Sequence, residues 1–484
     1  MRHTANITEY LKEKYGPWGW MGQRAHDACG INGVLPLDFI ISCDYGLDIK
    51  YYFREDDVFA VEKKIEVRKD WSNEDLNASL KGSLGREVFN YLNSLKRPAN
   101  LLCYRSVKKL ETNGSLLRFK PRVYAMPERL KKRFDNKTLL HRSLPKLSLP
   151  YIPGRVEKLG RVTFNVLRKE LSLPFVMQFP YGSSGHYTFI IRDERKFKRY
   201  RRAYPDQTVV LRKYIDGYSL NANAVIVSTE NGPLVACSFP SVQITGAPEC
   251  SNFETSFCGN DYSSARDLDK KVLKQAENIM RTIGTWMAGS GFRGVFGMDL
   301  VVKDGAVYPV EINPRFQNST SLYTTLERMQ PARKGALFLL HIAEFLQKND
   351  KVMRKYVKDF PFEELLKPLR GSQVILHNLT ARSVITGGLT PGVYSGEGRR
   401  LVLQKEGASI DDCRRTDFLV TCGVPKSFMV IEPNAPICKI QSLREALDPS
   451  DRRSLSQDTR KAASNVYAKL KLKEEREVEA IGAR

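Results

Sequence analysis

The chain has 484 residues, with 42% hydrophobic and 27% charged, a globular balance that excludes an intrinsically disordered protein. Its formal net charge is +23, from 77 Lys plus Arg against 54 Asp plus Glu, so anions of some kind are attracted to it. Nine cysteines without a C-x-x-C pair exclude a zinc cluster and a disulfide scaffold.

That length suggests roughly two to four domains or subdomains. The cysteine usage and the absence of an apolar N-terminal segment predict a cytoplasmic protein. The longest apolar run, 336–346, is too short to span a bilayer and carries His341 and Glu344, so no membrane partner is expected. The basic runs 131–133 and 196–202 read as solvated helix faces, and nucleic acid is not the expected partner.

From residue 1 to about 125 the pattern predicts an α/β layer. Strands are expected at 35–43, 51–53 and 101–104, with a helix at 84–95; Asn100 could stand near a ligand at the head of the last strand. A helix is predicted over 127–140, opened by Pro127 and Glu128. The prolines of 149–153 fix an extended connector.

Two strands, 175–178 and 187–191, flank Tyr181-Gly182-Ser183-Ser184-Gly185-His186. Glycines there let backbone N–H groups turn toward an anion, and serine hydroxyls add donors, so the loop can close over a polyphosphate; a plain hairpin turn is the alternative. Strands at 209–215, 221–227 and 234–239 follow. Residues 270–287 have a helical period, with Val272, Ala276, Ile279, Ile283 and Met287 as one buried stripe.

The densest signal lies between Gly294 and Arg315. Val295–Val302 and Ala306–Ile312 read as two strands joined at Lys303-Asp304-Gly305. Because side chains alternate along a strand, Glu311 and Asn313 share a face, and the turn sets Asp299 opposite the 310–311 end of the return strand. Two carboxylates and an amide carbonyl suit Mg²⁺, a hard cation commonly shared with substrate phosphates. An ordinary surface hairpin would explain Asp299 or Glu311 taken singly.

Gly-x-x-Gly-x-Asp followed by Glu-Ile-Asn-Pro-Arg resembles the metal-binding hairpin of the ATP-grasp enzymes. The resemblance is most specific over 294–315 and looser over about 130–330. It implies Asp299, Glu311 and Asn313 as ligands of Mg²⁺ (Mn²⁺ as the alternative) on ATP, and Arg315 as catalytic. It implies nucleotide contacts from Lys137, Gln178, Ser183, Ser184, Gly185, Arg212, Lys213 and Ile215, the last two through backbone atoms at the adenine edge. The chain departs from the family at several positions: Gln178 stands where a lysine is usual, and Arg212 where an acidic residue is usual. Ser219 and Asn221 replace a further acidic position.

From about residue 351 a β-rich pattern begins, with strands near 371–376, 401–404, 418–421, 428–431 and 436–440. A charged, solvated helix is expected at 460–479. The fold class expected is therefore α/β: an N-terminal α/β domain at 1–125, an ATP-grasp domain at 126–350 with a mobile lid at about 160–215, and a C-terminal β-rich domain with a helical tail at 351–484. The resemblance implies an ADP-forming ligase that joins a small-molecule carboxylate to an amine through an acyl phosphate. A kinase- or carboxylase-like reaction, or nucleotide or nucleic-acid binding without catalysis, is the alternative. A homo-oligomer is compatible with all of these.

Overall fold

The computed structural model describes residues 2–105, 117–182, 185, 187–330, 333–395 and 401–474. Ser183, Ser184 and the end of the charged tail lie outside them.

The N-terminal body is a parallel sheet in the order Val58–Ala60, Phe39–Ser42, Trp18–Met21, Asn100–Cys103, Arg122–Tyr124. Its central strands are buried at every position because both faces are covered. Alternation sorts them: Met21, Phe39, Ile41, Leu101 and Cys103 pack with Leu84, Val88 and Leu92 of the Ser83–Ser94 helix. Trp20, Ile40 and Leu102 face the main core instead. The expected strand at 51–53 does not form; Leu47–Tyr51 is a 3-10 helix, anchored by Asp48, whose carboxylate accepts from the N–H groups of Cys422, Gly423 and Val424. Asn100 is a structural residue, its side chain bonded to the Tyr15 carbonyl at 2.5 Å and the Tyr124 hydroxyl at 2.8 Å, and it is not among the residues that line the main cleft.

The single helix expected over 127–140 is two: Glu128–Phe134 and Lys137–Ser143. Asn136 breaks it, because its side chain caps the second helix by accepting from the N–H groups of Thr138 and Leu139. Lys131, expected on a solvated face, is buried, and burial together with the nearby Arg105 charge lowers its pKa.

A small antiparallel sheet follows, ordered Gly154–Lys158, Thr208–Lys213, Phe175–Gln178, Thr188–Ile191. With the helices Phe164–Leu171 and Glu194–Ala203 it closes its own core around Phe175, Met177, Phe197 and Leu211. A separate core lets such a unit move as one piece. Arg192 and Glu254, 2.7 Å apart, tie it to the larger body.

The largest sheet begins at the hairpin Gly294–Lys303 and Ala306–Asn313 and passes through Tyr218–Thr229, Ser241–Thr245 and Phe257–Asp261. The helix Lys270–Gly289 covers it, with the expected stripe from Val272 to Met287 buried. The sheet then continues into the C-terminal strands, because Phe257–Asp261 pairs with Ser372–His377. Beyond it lie Pro436–Ser442, Asp417–Thr421, Gly392–Ser395 and Val402–Glu406. The helix Gln457–Leu470 is not merely solvated: Ala462, Ala463, Val466 and Leu470 are buried. Among the described residues no helix is long and apolar enough to cross a membrane, and the nine cysteines are free and buried.

Candidate active site

The hairpin turn is made by Asp304 and Gly305, both in the left-handed region, at φ 50° and 77°. Such a turn fixes register, and here it pairs Asp299 with Glu311 and Gly297 with Asn313. A register irregularity after Asp299 lets Glu311 and Asn313 remain on the Asp299 side although the strand runs on to Leu300–Pro309. On the other flank Asn221 is the cross-strand partner of Asp299.

The three residues expected at a metal are thereby brought together. Asp299 accepts from Asn221 Nδ2 at 2.6 Å and from Asn313 Nδ2 at 3.3 Å. Burial and the Glu311 charge push its carboxyl up to about 6. Glu311 is ion-paired to Lys137 Nζ at 2.9 Å, and the same ammonium donates to the Gly182 carbonyl at 3.1 Å. Lys137 thus joins the hairpin to the start of the glycine-serine loop. Arg315 Nη2 donates to Asn313 Oδ1 at 2.9 Å, and Nη1 to the Tyr104 hydroxyl at 2.9 Å.

Gln317, which motif reading overlooked, organises the floor. Its Oε1 accepts from Asn221 Nδ2 at 2.7 Å and Asn313 Nδ2 at 3.1 Å, and its Nε2 donates to the Ala222 carbonyl and Asn223 Oδ1, both at 3.0 Å. Its space exists because residue 297 is glycine: a Cβ there would lie 1.7 Å from Gln317 Nε2. The available signal was its place four residues after Asn313, across a proline turn that aims both side chains the same way.

These residues open into a cleft of about 290 Å³ between the small sheet and the hairpin. Ile152, Val176, Ile190, Ile215 and Val301 give it apolar walls, and Gln178, Gly185, Arg212 and Lys213 also line it. Gln178 donates to Thr188 Oγ1 at 3.0 Å, while its Oε1 is buried without a partner. Arg212 is buried, and burial drives its pKa down to about 10 against the opposing pull of Glu311. Val210 is the register partner of Gln178, so Arg212, two residues on, faces the same way one pleat further. The Lys213 N–H donates to the Pro153 carbonyl at 2.9 Å, and the Ile215 carbonyl accepts from Gly217 at 3.0 Å. Gly185 sits at φ 84°, its carbonyl accepting from Thr255 Oγ1 at 3.2 Å.

The chemistry of the donor set fits a hard divalent cation. Two partly buried carboxylates at paired strand positions repel each other, which together with desolvation raises the Asp299 pKa, and a cation relieves that repulsion. Among the described residues no group of three His, Cys, Asp or Glu is placed for a metal, and the Asn313 amide lies beside the carboxylate pair.

Residues 135–319 match the family model described as the ATP-grasp domain, and the chain carries an ATP-grasp domain. Solved structures extend the likeness beyond that segment. The chain is similar to a carboxyaminoimidazole ribonucleotide synthase from Aspergillus clavatus complexed with ATP, at 12% identity and a TM-score of 0.52, covering 94% of this chain and 98% of that one. It is similar to biotin carboxylase from Campylobacter jejuni, at 12% identity and 0.55, over 89% and 87%. An N5-carboxyaminoimidazole ribonucleotide synthetase from Thermus thermophilus gives 11% and 0.52, over 94% and 98%. At these identities the likeness is one of fold. No curated protein matches the chain in sequence.

Proposed function

We propose that this protein is an ADP-forming ligase that activates a small carboxylic acid with ATP and joins it to an amine. The observation that carries the reading is the constellation at the end of the hairpin: Asp299 paired with Glu311, Asn313 beside them, and Arg315 two residues on. Fold alone does not assign chemistry, whereas this set of side chains matches a defined task.

The nucleotide lies in the cleft between the small sheet and the hairpin, its base against the apolar walls and its backbone contacts at Lys213 and Ile215. Asp299, Glu311 and Asn313 hold Mg²⁺, or Mn²⁺, which when bound neutralises charge on the phosphates. Lys137 stands beside Glu311 and reaches the phosphates from the loop side. Gln178 cannot supply the positive charge usual at its position; Arg212, one pleat along the same face, supplies it instead. Gly182, whose carbonyl is held by Lys137, and Gly185, which lines the cleft, lie on the phosphate side and help to exclude water, which would otherwise hydrolyse the intermediate.

In the first step a carboxylate oxygen of the acid attacks the terminal phosphorus, and the bond to the bridging oxygen breaks to release ADP. In the second, the amine attacks the acyl carbon and phosphate leaves. Arg315 donates first to the transferring phosphoryl oxygens and then to the oxyanion, a charge that is larger in each transition state than in the ground state. A carboxylating reaction with bicarbonate as the acid is the second reading, favoured by fold likeness to named carboxylases over 89% of the chain.

Hydroxylamine tests the first step without knowledge of the amine. A panel of small acids, bicarbonate included, is incubated with ATP, Mg²⁺ and hydroxylamine. The proposal expects an acid-dependent hydroxamate with stoichiometric ADP. ADP release confined to bicarbonate would favour the second reading, and no hydroxamate with any acid would overturn the first.

A further inference from the structure

Next to Arg315 the cleft carries more positive charge than nucleotide chemistry uses. Tyr104, at the end of the last central strand of the N-terminal sheet, is ringed by three guanidinium groups. Their central carbons lie 5.3 Å (Arg24), 6.0 Å (Arg105) and 5.2 Å (Arg315) from its ring centroid. The phenol is held in place: its hydroxyl accepts from Arg24 Nη2 at 3.1 Å and Arg315 Nη1 at 2.9 Å, and donates to Asn318 Oδ1 at 2.8 Å. All five residues line the cleft.

Among the described residues carboxylates form an ion pair with one of the three guanidinium groups and not with the other two. Arg24 is paired with Asp27 at 3.1 Å. No ion pair within 4.0 Å is formed by Arg105 or Arg315 among the described residues, and the Nε of each is buried without a partner. Burial and the Arg315 charge drive the Arg105 pKa down to about 10, so its charge is costly in the free protein. Contact with the Tyr104 ring offsets part of that cost. Unspent guanidinium donors grouped beside a cleft match a planar or tetrahedral anion in a forked geometry.

Resting on the ligase reading of the same cleft, we propose that the acid substrate carries a second anionic group, a carboxylate or a phosphate, which Arg105 binds with help from Arg24 on the N-terminal side of Arg315. The reacting carboxylate then lies toward Arg315 and the hairpin, and the second anion toward Tyr104. Such a site selects against monoacids because they leave the partly buried Arg105 charge without an ion-pair partner among the described residues.

The test is equilibrium binding to the full chain saturated with Mg²⁺ and ADP, at fixed ionic strength. The probes are matched pairs: dicarboxylates of three to six carbons against the corresponding monocarboxylates, and O-phosphoserine against serine. The two kinds of pair separate a carboxylate from a phosphate at the second position. The expected result is at least one dianion bound about tenfold more tightly than its partner, with R105Q collapsing the preference to about twofold and R105K restoring part of it. No preference for any dianion, through equal affinity or through no binding, overturns the proposal, as does a preference untouched in a folded R105Q. Hydroxamate formation is scored separately. Arg105-dependent dianion binding without any acid-dependent ADP release would sustain this site and remove the ligase reading. Hydroxamate from monoacids alone would do the reverse.

Discussion

Removing one charge from the Lys137–Glu311 pair should cost both stability and activity, and the two losses can be separated. The ammonium and carboxylate are 2.9 Å apart, with side-chain exposures of 4% and 17%. At an effective dielectric near 20, two charges at about 3 Å attract by roughly 5 kcal/mol before desolvation. Breaking a buried pair by removing one partner typically costs about 3–5 kcal/mol. In Glu311→Gln the ammonium keeps its bond to the Gly182 carbonyl, so a loss of about 2–4 kcal/mol is expected. Lys137→Met should cost a similar amount. The double variant should lose about 2 kcal/mol less than the sum of the singles, because its second substitution removes a charge already unpaired. Urea unfolding followed by tryptophan fluorescence measures this; Trp286 packs on Phe134 with ring centroids 5.0 Å apart, close to the Lys137 helix. Additivity within about 0.5 kcal/mol would refute the pairing. Turnover separates the roles: Glu311→Gln should abolish it at any Mg²⁺ concentration even at a temperature where the variant is fully folded.

Arg315→Lys should lower turnover by about 10²-fold or more with less than about threefold change in nucleotide binding, since lysine cannot reproduce the forked contact; steady-state kinetics against ATP titration decides it. Gly185→Ala should weaken ATP binding about fivefold or more and speed hydrogen exchange across Thr188–Ile191. The backbone there is left-handed, and an added Cβ would lie 1.8 Å from the Thr255 carbonyl; unchanged exchange would refute a role for the Gly185–Thr255 contact in holding the small sheet. Glu327 is fully buried, and burial pushes its carboxyl from 4.5 up to about 8. A raised acid favours the folded state below its unfolded pKa, and that contribution is lost as pH rises toward 8. Glu327→Gln should therefore be more stable than wild type above pH 8, by a few kcal/mol at most, and the gap should close near pH 5; a pH-independent difference in thermal unfolding would contradict this.

The hairpin was legible because its information is local. Asp304-Gly305 can adopt the two left-handed conformations of a tight turn, and from there alternation alone brings Asp299 opposite Glu311. The break at Asn136 was also local, yet the continuous run of basic and apolar residues outweighed one capping side chain. Tyr104 and Arg105 carried no motif: the cluster exists only because the end of a parallel strand meets the turn after Asn313, some two hundred residues later. The same limit hid the continuous sheet, since the pairing of Phe257–Asp261 with Ser372–His377 leaves no periodic trace in either strand. Lys131 shows the converse error, where a basic run suggested solvent and packing placed one of its members inside.

The nucleotide product is the most direct measure of the central claim. In the proposed reading Arg315 and the Asp299–Glu311–Asn313 group serve the terminal phosphate, while the backbone at Lys213 and Ile215, in the lining of the same cleft, serves the adenine. Chromatography of a complete reaction, with any accepted acid and amine, should then show ADP and phosphate in equal amounts, dependent on both substrates. AMP with pyrophosphate as the stoichiometric products would contradict it.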